Sequence, residues 1–417
     1  MAKKTFNRSI HVLKDFGPGL VTGAADDDPS GIATYTVAGA QSGYGYLWTA
    51  LITWPLMAAV QFMCSHISLV TKESLTNTFL KKYPKGIVFL LINALLIANT
   101  LNVAADLSAM ADALSILTGT NSFLFVIVLG AIITLAMIFL NYQQIARVLT
   151  WMTFFLMAYI FTAFKSDVNS TELIKGTLIP HWPTNNIEWA TLVAILGTTI
   201  SPYLFFWQSS QEVEEIRQKE SAAHGFNFAK IRVIRKFDIL LGTFVSNLVM
   251  YFVILTAAST LHSHQITDIE TTKEAALALE PLLGKSAVLC YTLGILGVGL
   301  LAIPTLVGSA SFAIADFFKW TSGLDKKWDQ AKSFYLFLSG SMVVAILIDV
   351  VHINPIKALF YSSIVNGLIS PILILACLFV VKDQKLMSGQ SMGKVGLVLI
   401  TATAILMVLA ATGMFVF

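Results

Sequence analysis

Almost the whole chain divides into apolar runs of membrane-spanning length. An α-helix rises 1.5 Å per residue, so a hydrocarbon layer ~30 Å thick takes about 20 apolar residues to cross. Such runs cover residues 17–43, 46–70, 86–116, 121–141, 148–165, 188–212, 237–261, 286–316, 333–351, 355–381 and 394–417, which predicts eleven spans. Composition agrees: 56% of the 417 residues are hydrophobic and 12% are charged, against about 25% charged in soluble domains. Lipid offers no hydrogen bonds to a backbone, so the expected fold class is an all-α polytopic membrane protein. The lipid bilayer is then a partner of the chain, and a net charge of +3 gives no reason to expect nucleic acid.

The basic residues orient these spans. With the N-terminus placed in the cytoplasm, 22 of the 27 Lys and Arg residues fall in segments predicted to be cytoplasmic: before residue 17, and in 71–85, 142–147, 213–236, 317–332 and 382–394. Only Lys165, Lys175, Lys273, Lys285 and Lys357 fall on the other side. This positive-inside bias supports the count. An odd number of spans puts the C-terminus outside, and the plasma (inner) membrane is the expected location. The basic start is not followed by a cleavable signal pattern. The longest loops, 166–187, 213–236 and 262–285, are too short for a separate soluble domain, and with no dimerisation domain a monomer is expected. Cys64, Cys290 and Cys377 lie in apolar spans without pairing or metal spacing and read as packing residues.

The first span contains the sequence Ala24-Ala25-Asp26-Asp27-Asp28-Pro29-Ser30-Gly31. A charge at the bilayer centre costs roughly 2.5–3.5 kcal/mol on insertion scales, and an intact helix would turn three successive acids to three different directions. Pro29 lacks an N–H and clashes with the preceding turn, and Gly23 and Gly31 weaken the helix further. The expected outcome is an unwound segment between two half-helices. Irregular backbone at that depth is tolerated where it lines a cavity. Carboxylates and free carbonyls around a cavity make a cation site; a loop at the membrane edge is the alternative reading.

A second interruption lies at Ile200-Ser201-Pro202-Tyr203, preceded by Gly197, Thr198 and Thr199. The broken spans are numbers 1 and 6, corresponding positions in two halves of five, which points to an inverted repeat with an ion site near the midplane. Pro304 and Pro371 are expected to interrupt their spans too, so proline alone is a weak signal. The repeats are expected at about 17–165 and about 188–381, with an extra helix at about 394–417.

The stretch from Gly17 to Trp48, GPGLVTGAADDDPSGIATYTVAGAQSGYGYLW, resembles the first span of the natural-resistance-associated macrophage protein (NRAMP) family of divalent-metal transporters, with its Gly-Pro-Gly start, Asp-Pro-Gly-Asn motif and Gly-Ala-Gln-x-Gly-Tyr continuation. GTTISPYLFFWQSS is similar, more loosely, to that family's sixth span, which carries Met-Pro-His-Asn. The resemblance implies a leucine-transporter-type 5+5 fold. It also implies a ligand set: the Asp28 carboxylate, the carbonyls of Ala25 and Thr198, and the positions of Gly31, where the family has Asn, and Ser201, where it has Met. The sixth-span histidines fall on Tyr203 and Gln208. In the third span Asp-Leu-Ala-Glu becomes Asp106-Leu107-Ser108-Ala109, so the glutamate is lost and Asp106 remains as the cavity-lining residue.

These departures share a direction. A thioether favours softer transition metals, and a hydroxyl in its place leaves an all-oxygen site. Mg²⁺ dehydrates reluctantly and is held by one or two carboxylates while keeping several waters, and Mn²⁺ also accepts oxygen. The missing histidines and glutamate remove the family's proton route. The sequence therefore resembles the NRAMP-related magnesium transporter branch, which implies Mg²⁺ (also Mn²⁺) as transported substrate, no cofactor and no proton coupling. Asp26 and Asp27 have no counterpart in the motif: they either draw hydrated cations into a vestibule or pair with a helix end or a lysine. Asn99, Asn102 and Asn366 read as interhelical hydrogen-bonding residues more readily than as ligands. No phosphate-binding loop, nucleophile triad or zinc motif argues for an enzyme. The rival readings are a proton-coupled Mn²⁺/Fe²⁺ symporter, a sodium-coupled transporter of organic substrates, and a channel.

Overall fold

Lipid leaves the backbone no alternative to the helix, and the residues that the structure, a computed structural model, describes contain no strand. Those residues are 23, 25–140, 153–221, 228–351 and 354–416. In chain order the helices are α1 (Pro29–Ser42), α2 (Leu47–Thr71), α3 (Leu75–Lys82), α4 (Lys85–Thr118), α5 (Ser122–Phe139), α6 (Met157–Lys165), α7 (Ser170–Leu178), α8 (Asn186–Thr199), α9 (Pro202–Ser221), α10 (Phe228–Thr260), α11 (Thr272–Leu277), α12 (Glu280–Leu283), α13 (Ala287–Phe317), α14 (Lys332–Asp349), α15 (Pro355–Val381) and α16 (Lys394–Val416).

Nine helical stretches among the described residues are long and apolar enough to cross a membrane. One of them, Pro29–Thr71, contains parts of the first two expected spans, because a 3₁₀ turn at Gly43–Tyr46 joins them without a loop. The fifth expected span is represented by α6; its residues 148–152 lie outside the described residues, as do 17–22 and 24 of the first. Two expectations need correction. The segments read as loops contain helices of their own: α3, α7, α11 and α12 lie in them, and α9 and α10 extend through most of 213–236. Pro304 and Pro371 do not interrupt their spans, since α13 and α15 run through them. An interior proline costs about 3 kcal/mol, which these helices offset by packing along their length, α13 against α4 and α9, and α15 against α4, α8 and α16.

The packing repeats with a shift of five spans. The first helix packs on the seventh (α1 on α10) and the sixth on the second (α9 on α2); the third and eighth, α4 and α13, face each other. Likewise α4 meets α5 as α13 meets α14, and α4 meets α14 as α13 meets α5. The broken helices stand at the centre of this 5+5 arrangement, with α1 against α4, α8, α10 and α15. The rim shows what lipid permits: Leu124, Ile132, Leu135 and Phe139 of α5 and Val398, Ile405 and Leu409 of α16 are exposed. At a helix end, Lys82 lies 2.5 Å from Asp383, and its hydrogen bond holds the Asp383 carboxyl below the usual carboxylate range.

Close approach depends on small residues, as expected where apolar burial cannot drive helices together. A Cβ on Gly197 of α8 would lie 2.0 Å from the Ser363 carbonyl oxygen and 2.3 Å from the Gly367 nitrogen of α15. Gly197→Leu should therefore separate α8 from α15, with a destabilisation exceeding the ~1–3 kcal/mol of ordinary overpacking. Gly86→Ala, with nothing within 4 Å of the added carbon, should be neutral or better. Thermal melting of the detergent-solubilised variants, with size-exclusion profiles, checks the pair.

Candidate functional site

Both expected interruptions are present, and side chains of the same local sequence stabilise each of them. Ala25 and Asp26 are helical, the chain bends at Asp27, and α1 starts afresh at Pro29. Asp28 is the N-cap of α1, with φ −73° and ψ 170°. Its Oδ1 accepts the Gly31 N–H at 2.7 Å and the Ser30 hydroxyl at 2.6 Å. Proline suits the first turn of a helix, where its missing N–H has no intrahelical partner to lose. At the second break α8 ends at Thr199, Ile200 takes φ −117° and ψ 58°, and α9 starts at Pro202. The carbonyls freed there are taken up: Ser201 Oγ donates to Gly197 O at 2.8 Å and to Thr198 O at 2.6 Å, and Ser370 of α15 donates to Ile200 O at 2.7 Å.

Hydroxyls tie the two breaks together. Tyr203 donates to the Ala25 carbonyl at 2.9 Å, Ser30 Oγ lies 3.4 Å from Thr198 Oγ1, and the Tyr35 hydroxyl lies 3.1 Å from Thr199 Oγ1. The structure thus brings Ala25, Asp28, Gly31, Thr198, Ser201 and Tyr203 into one place. Within it, the Ala25 and Thr198 carbonyls already accept one hydrogen bond each and keep a second lone pair. Gly31 contributes its N–H, and a Cβ there would sit 3.2 Å from Thr198 Oγ1 and 3.5 Å from Asp28 Oδ1.

The other face of Asp28 belongs to α4. Asn102 Nδ2 donates to Asp28 Oδ2 at 3.0 Å and to Asp106 Oδ2 at 3.1 Å, and Asn366 Nδ2 of α15 donates to Asn102 Oδ1 at 3.0 Å. Asn99 fits the interhelical reading, donating to Leu306 O and Ser309 Oγ of α13 at 2.8 Å each. Asp26, Asp27, Asp28 and Asp106 are all buried, none more than 4% exposed. The hydroxyl of Ser246 on α10 donates to Asp26 Oδ2 at 2.6 Å and to Asp27 Oδ1 at 3.1 Å. Neither acid forms a salt bridge among the described residues, where no group of three or more His, Cys, Asp or Glu side chains forms a cage of metal-ligand geometry either. The oxygen atoms gathered here come instead from carboxylates, hydroxyls, amides and backbone carbonyls together.

Gln208 stands elsewhere, donating to Glu212 Oε1 at 3.0 Å in a second buried polar cluster. There Arg235 of α10 meets Glu212 at 2.5 Å, Asp238 at 2.9 Å and also Glu215, and Ser65 of α2 donates to Glu212 at 2.8 Å. Arg235, Glu212 and Asp238 are at most 2% exposed. Reading 213–236 as a cytoplasmic loop concealed this cluster; the i,i+3 spacings Glu212/Glu215 and Arg235/Asp238 were the available signal. Ser246 gave no signal, because one serine in an apolar span is unremarked by pattern.

Arg235→Met leaves a group of buried carboxylates without their cation, and should destabilise the protein by about 3–5 kcal/mol. Arg235→Lys should recover little of this, because a point charge cannot address three carboxylates as the planar guanidinium does. Differential scanning fluorimetry in detergent reads both.

Comparison with known proteins places this geometry. The family model described as natural resistance-associated macrophage protein-like matches residues 19–417. Among curated relatives, the divalent metal cation transporter MntH of Erwinia tasmaniensis is 26% identical over 299 residues, covering 70% of this chain and 69% of that one. Among solved structures, the Eremococcus coleocola manganese transporter, in complex with an aromatic bis-isothiourea substituted compound, superposes with a TM-score of 0.77 at 17% identity, over 96% of this chain and 85% of that one. Mhp1, a nucleobase-cation-symport-1 family transporter in a closed conformation, superposes with a TM-score of 0.62 at 13% identity, over 92% of this chain and 80% of that one. At these identities the structural likenesses concern the fold.

Proposed function

Because the chain belongs to the natural resistance-associated macrophage protein-like family, we propose that it carries divalent metal ions across a membrane by alternating access, with Mg²⁺ as the principal substrate and Mn²⁺ accepted. The observation that carries this reading is Asp28: a buried carboxylate at the N-cap of a re-started helix, facing a second broken helix whose carbonyls and hydroxyls supply further oxygen. The curated MntH relative is named for divalent metal cations and the structural neighbour for manganese, which supports the substrate class. The choice of Mg²⁺ rests on the donor atoms. Ser201 supplies a hydroxyl where a soft thioether would favour transition metals, and Gly31 supplies no side-chain ligand, so fewer protein ligands compete with the water that Mg²⁺ retains.

In this reading the units about 17–165 and about 188–381 rock against each other, the helix at about 394–417 stands outside them, and the chain acts as a monomer. The site lies in the plasma (inner) membrane with the N-terminus in the cytoplasm, following the basic residues. Transport runs without protons. At the two sixth-span positions Tyr203 and Gln208 offer a phenol and an amide, neither of which exchanges a proton readily near neutrality, and Ala109 replaces a carboxylate. The membrane potential suffices as a drive, since a divalent ion gains about 4.6 kcal/mol per 100 mV.

Proteoliposomes test this directly. Wild type should take up Mg²⁺ and Mn²⁺ at a negative-inside potential, and Asp28→Ala should abolish uptake while eluting as a folded, monodisperse protein. An enclosed pH dye should report no metal-dependent acidification. Acidification that scales with Mg²⁺ and vanishes in Asp28→Ala would establish the proton-coupled alternative, with Asp106 as the candidate carrier. Selectivity is read separately: Ser201→Met should shift the ratio of calorimetric affinities from Mg²⁺ toward Mn²⁺ and Cd²⁺. It is preferable to Gly31→Asn, whose added carbon would press on Thr198.

A further inference from the structure

The asparagine between the two carboxylates determines which atoms around it remain free. Asn102 faces Asp28 Oδ2 and Asp106 Oδ2 at 3.0 and 3.1 Å. Only its NH₂ group can stand there, because an amide oxygen would repel both carboxylates. Its oxygen is thereby turned toward α15, and Asn366 answers with its own NH₂ at 3.0 Å. That in turn fixes the Asn366 oxygen as the end of the chain of donors. Asn366 Oδ1 has no hydrogen-bond donor, and Asp106 Oδ1 has none of ordinary geometry, although the Ser30 backbone N–H faces the Asp106 carboxyl; both residues are 0% exposed. Buried acceptors without donors are uncommon, and two of them on opposite sides of one amide share a chemical need. A cation is a partner that meets this need at either oxygen.

We propose that Asp106 and Asn366 are oxygen ligands of the transported ion, which is bound between α1, α4 and α15 with Asn102 as the strut that aims both carboxylates. The inference rests on the reading of Asp28 as the ion's seat and extends it to a ligand set. Asp28 Oδ1 is occupied by Ser30 and Gly31, so its Oδ2, on the Asn102 side, is the oxygen with spare capacity. The Ser201 hydroxyl donates to Gly197 and Thr198 of its own segment. Those donations use its hydrogen and leave its oxygen lone pairs open, so the side-chain oxygens available to an ion are Ser201 Oγ on one side and those toward α4 and α15 on the other. Two carboxylates and an amide oxygen form a hard donor set suited to Mg²⁺ or Mn²⁺ with waters completing the shell. Asn102 acts through the carboxylates it positions, as an outer-shell partner does at a resident metal site.

The test measures half-saturation for Mn²⁺ uptake, and its inhibition by Mg²⁺, in proteoliposomes of the full chain, with calorimetric titration of both ions on the same variants. Asn366→Leu removes the oxygen at similar volume and should weaken Mg²⁺ by about tenfold or more. Asn366→Asp loses the hydrogen bond to Asn102 but keeps an oxygen and adds charge, so it should bind Mg²⁺ with wild-type affinity or better. Asp106→Asn should weaken Mg²⁺ by about tenfold as well and covers the case in which Asn366→Leu does not fold. If Asn366→Leu binds as wild type does, or if the leucine and aspartate variants lose affinity equally as a purely structural hydrogen bond would require, the ligand assignment is overturned. In that event loss of uptake in Asp28→Ala leaves the transport reading standing. Uptake that survives Asp28→Ala, or a wild type that moves neither ion, refutes the transport reading itself.

Discussion

The fold depends on what happens to Asp28. A carboxylate at membrane depth is tolerable only if its charge is met by donors, and a helix that stops and restarts there exposes N–H groups that need an acceptor. The two needs answer each other. Asp28 takes the Gly31 N–H and the Ser30 hydroxyl on one oxygen and the Asn102 amide on the other. One side chain caps the restarted helix, ties the first broken span to α4, and presents charge at the centre of the molecule. Pro29 makes the arrangement possible by removing an N–H that would otherwise need a partner.

The second break uses neutral groups for the same purpose. Ser201 and Ser370 bind the carbonyls released at the end of α8, and Tyr203 reaches across to Ala25. These contacts are all hydroxyl-to-carbonyl and carry no charge. Arg235 and its three acids are of another kind. Charge-assisted bonds in a buried cluster are expensive to separate, so the helices α9 and α10 are held there as one body.

Much of this was legible in the chain. The apolar runs and their lengths dictated the spans, and the edges of α4, α5, α13, α14, α15 and α16 fall within two residues of the expected runs, because each is limited by the same transition from apolar to polar sequence. Prolines were legible only in part. Pro29 and Pro202 open helices, whereas Pro304 and Pro371 sit inside them. Pro304 follows an apolar Ile303 that cannot cap a helix, but Pro371 follows Ser370 as Pro202 follows Ser201, and there the packing of α15 against its neighbours separates the cases. The ends of α9 and α10 were misread as a loop for a related reason: their charges are those of a solvated segment until Arg235 finds Glu212, Glu215 and Asp238 in space.

By itself the sequence determined that the chain is helical and spans a membrane, that two spans break, and that Asp28 stands at the first break, because hydrogen-bond satisfaction in lipid and the geometry of proline are local constraints. Only the tertiary structure decided what Asp28 faces. Ser30 and Gly31 are near it in sequence, but Asn102 is 74 residues away and Asn366 is a further 264. Whether an asparagine is a strut, a ligand or an ordinary interhelical contact depends on which of its two amide atoms meets a carboxylate, and that is settled by the packing of α1, α4 and α15 together.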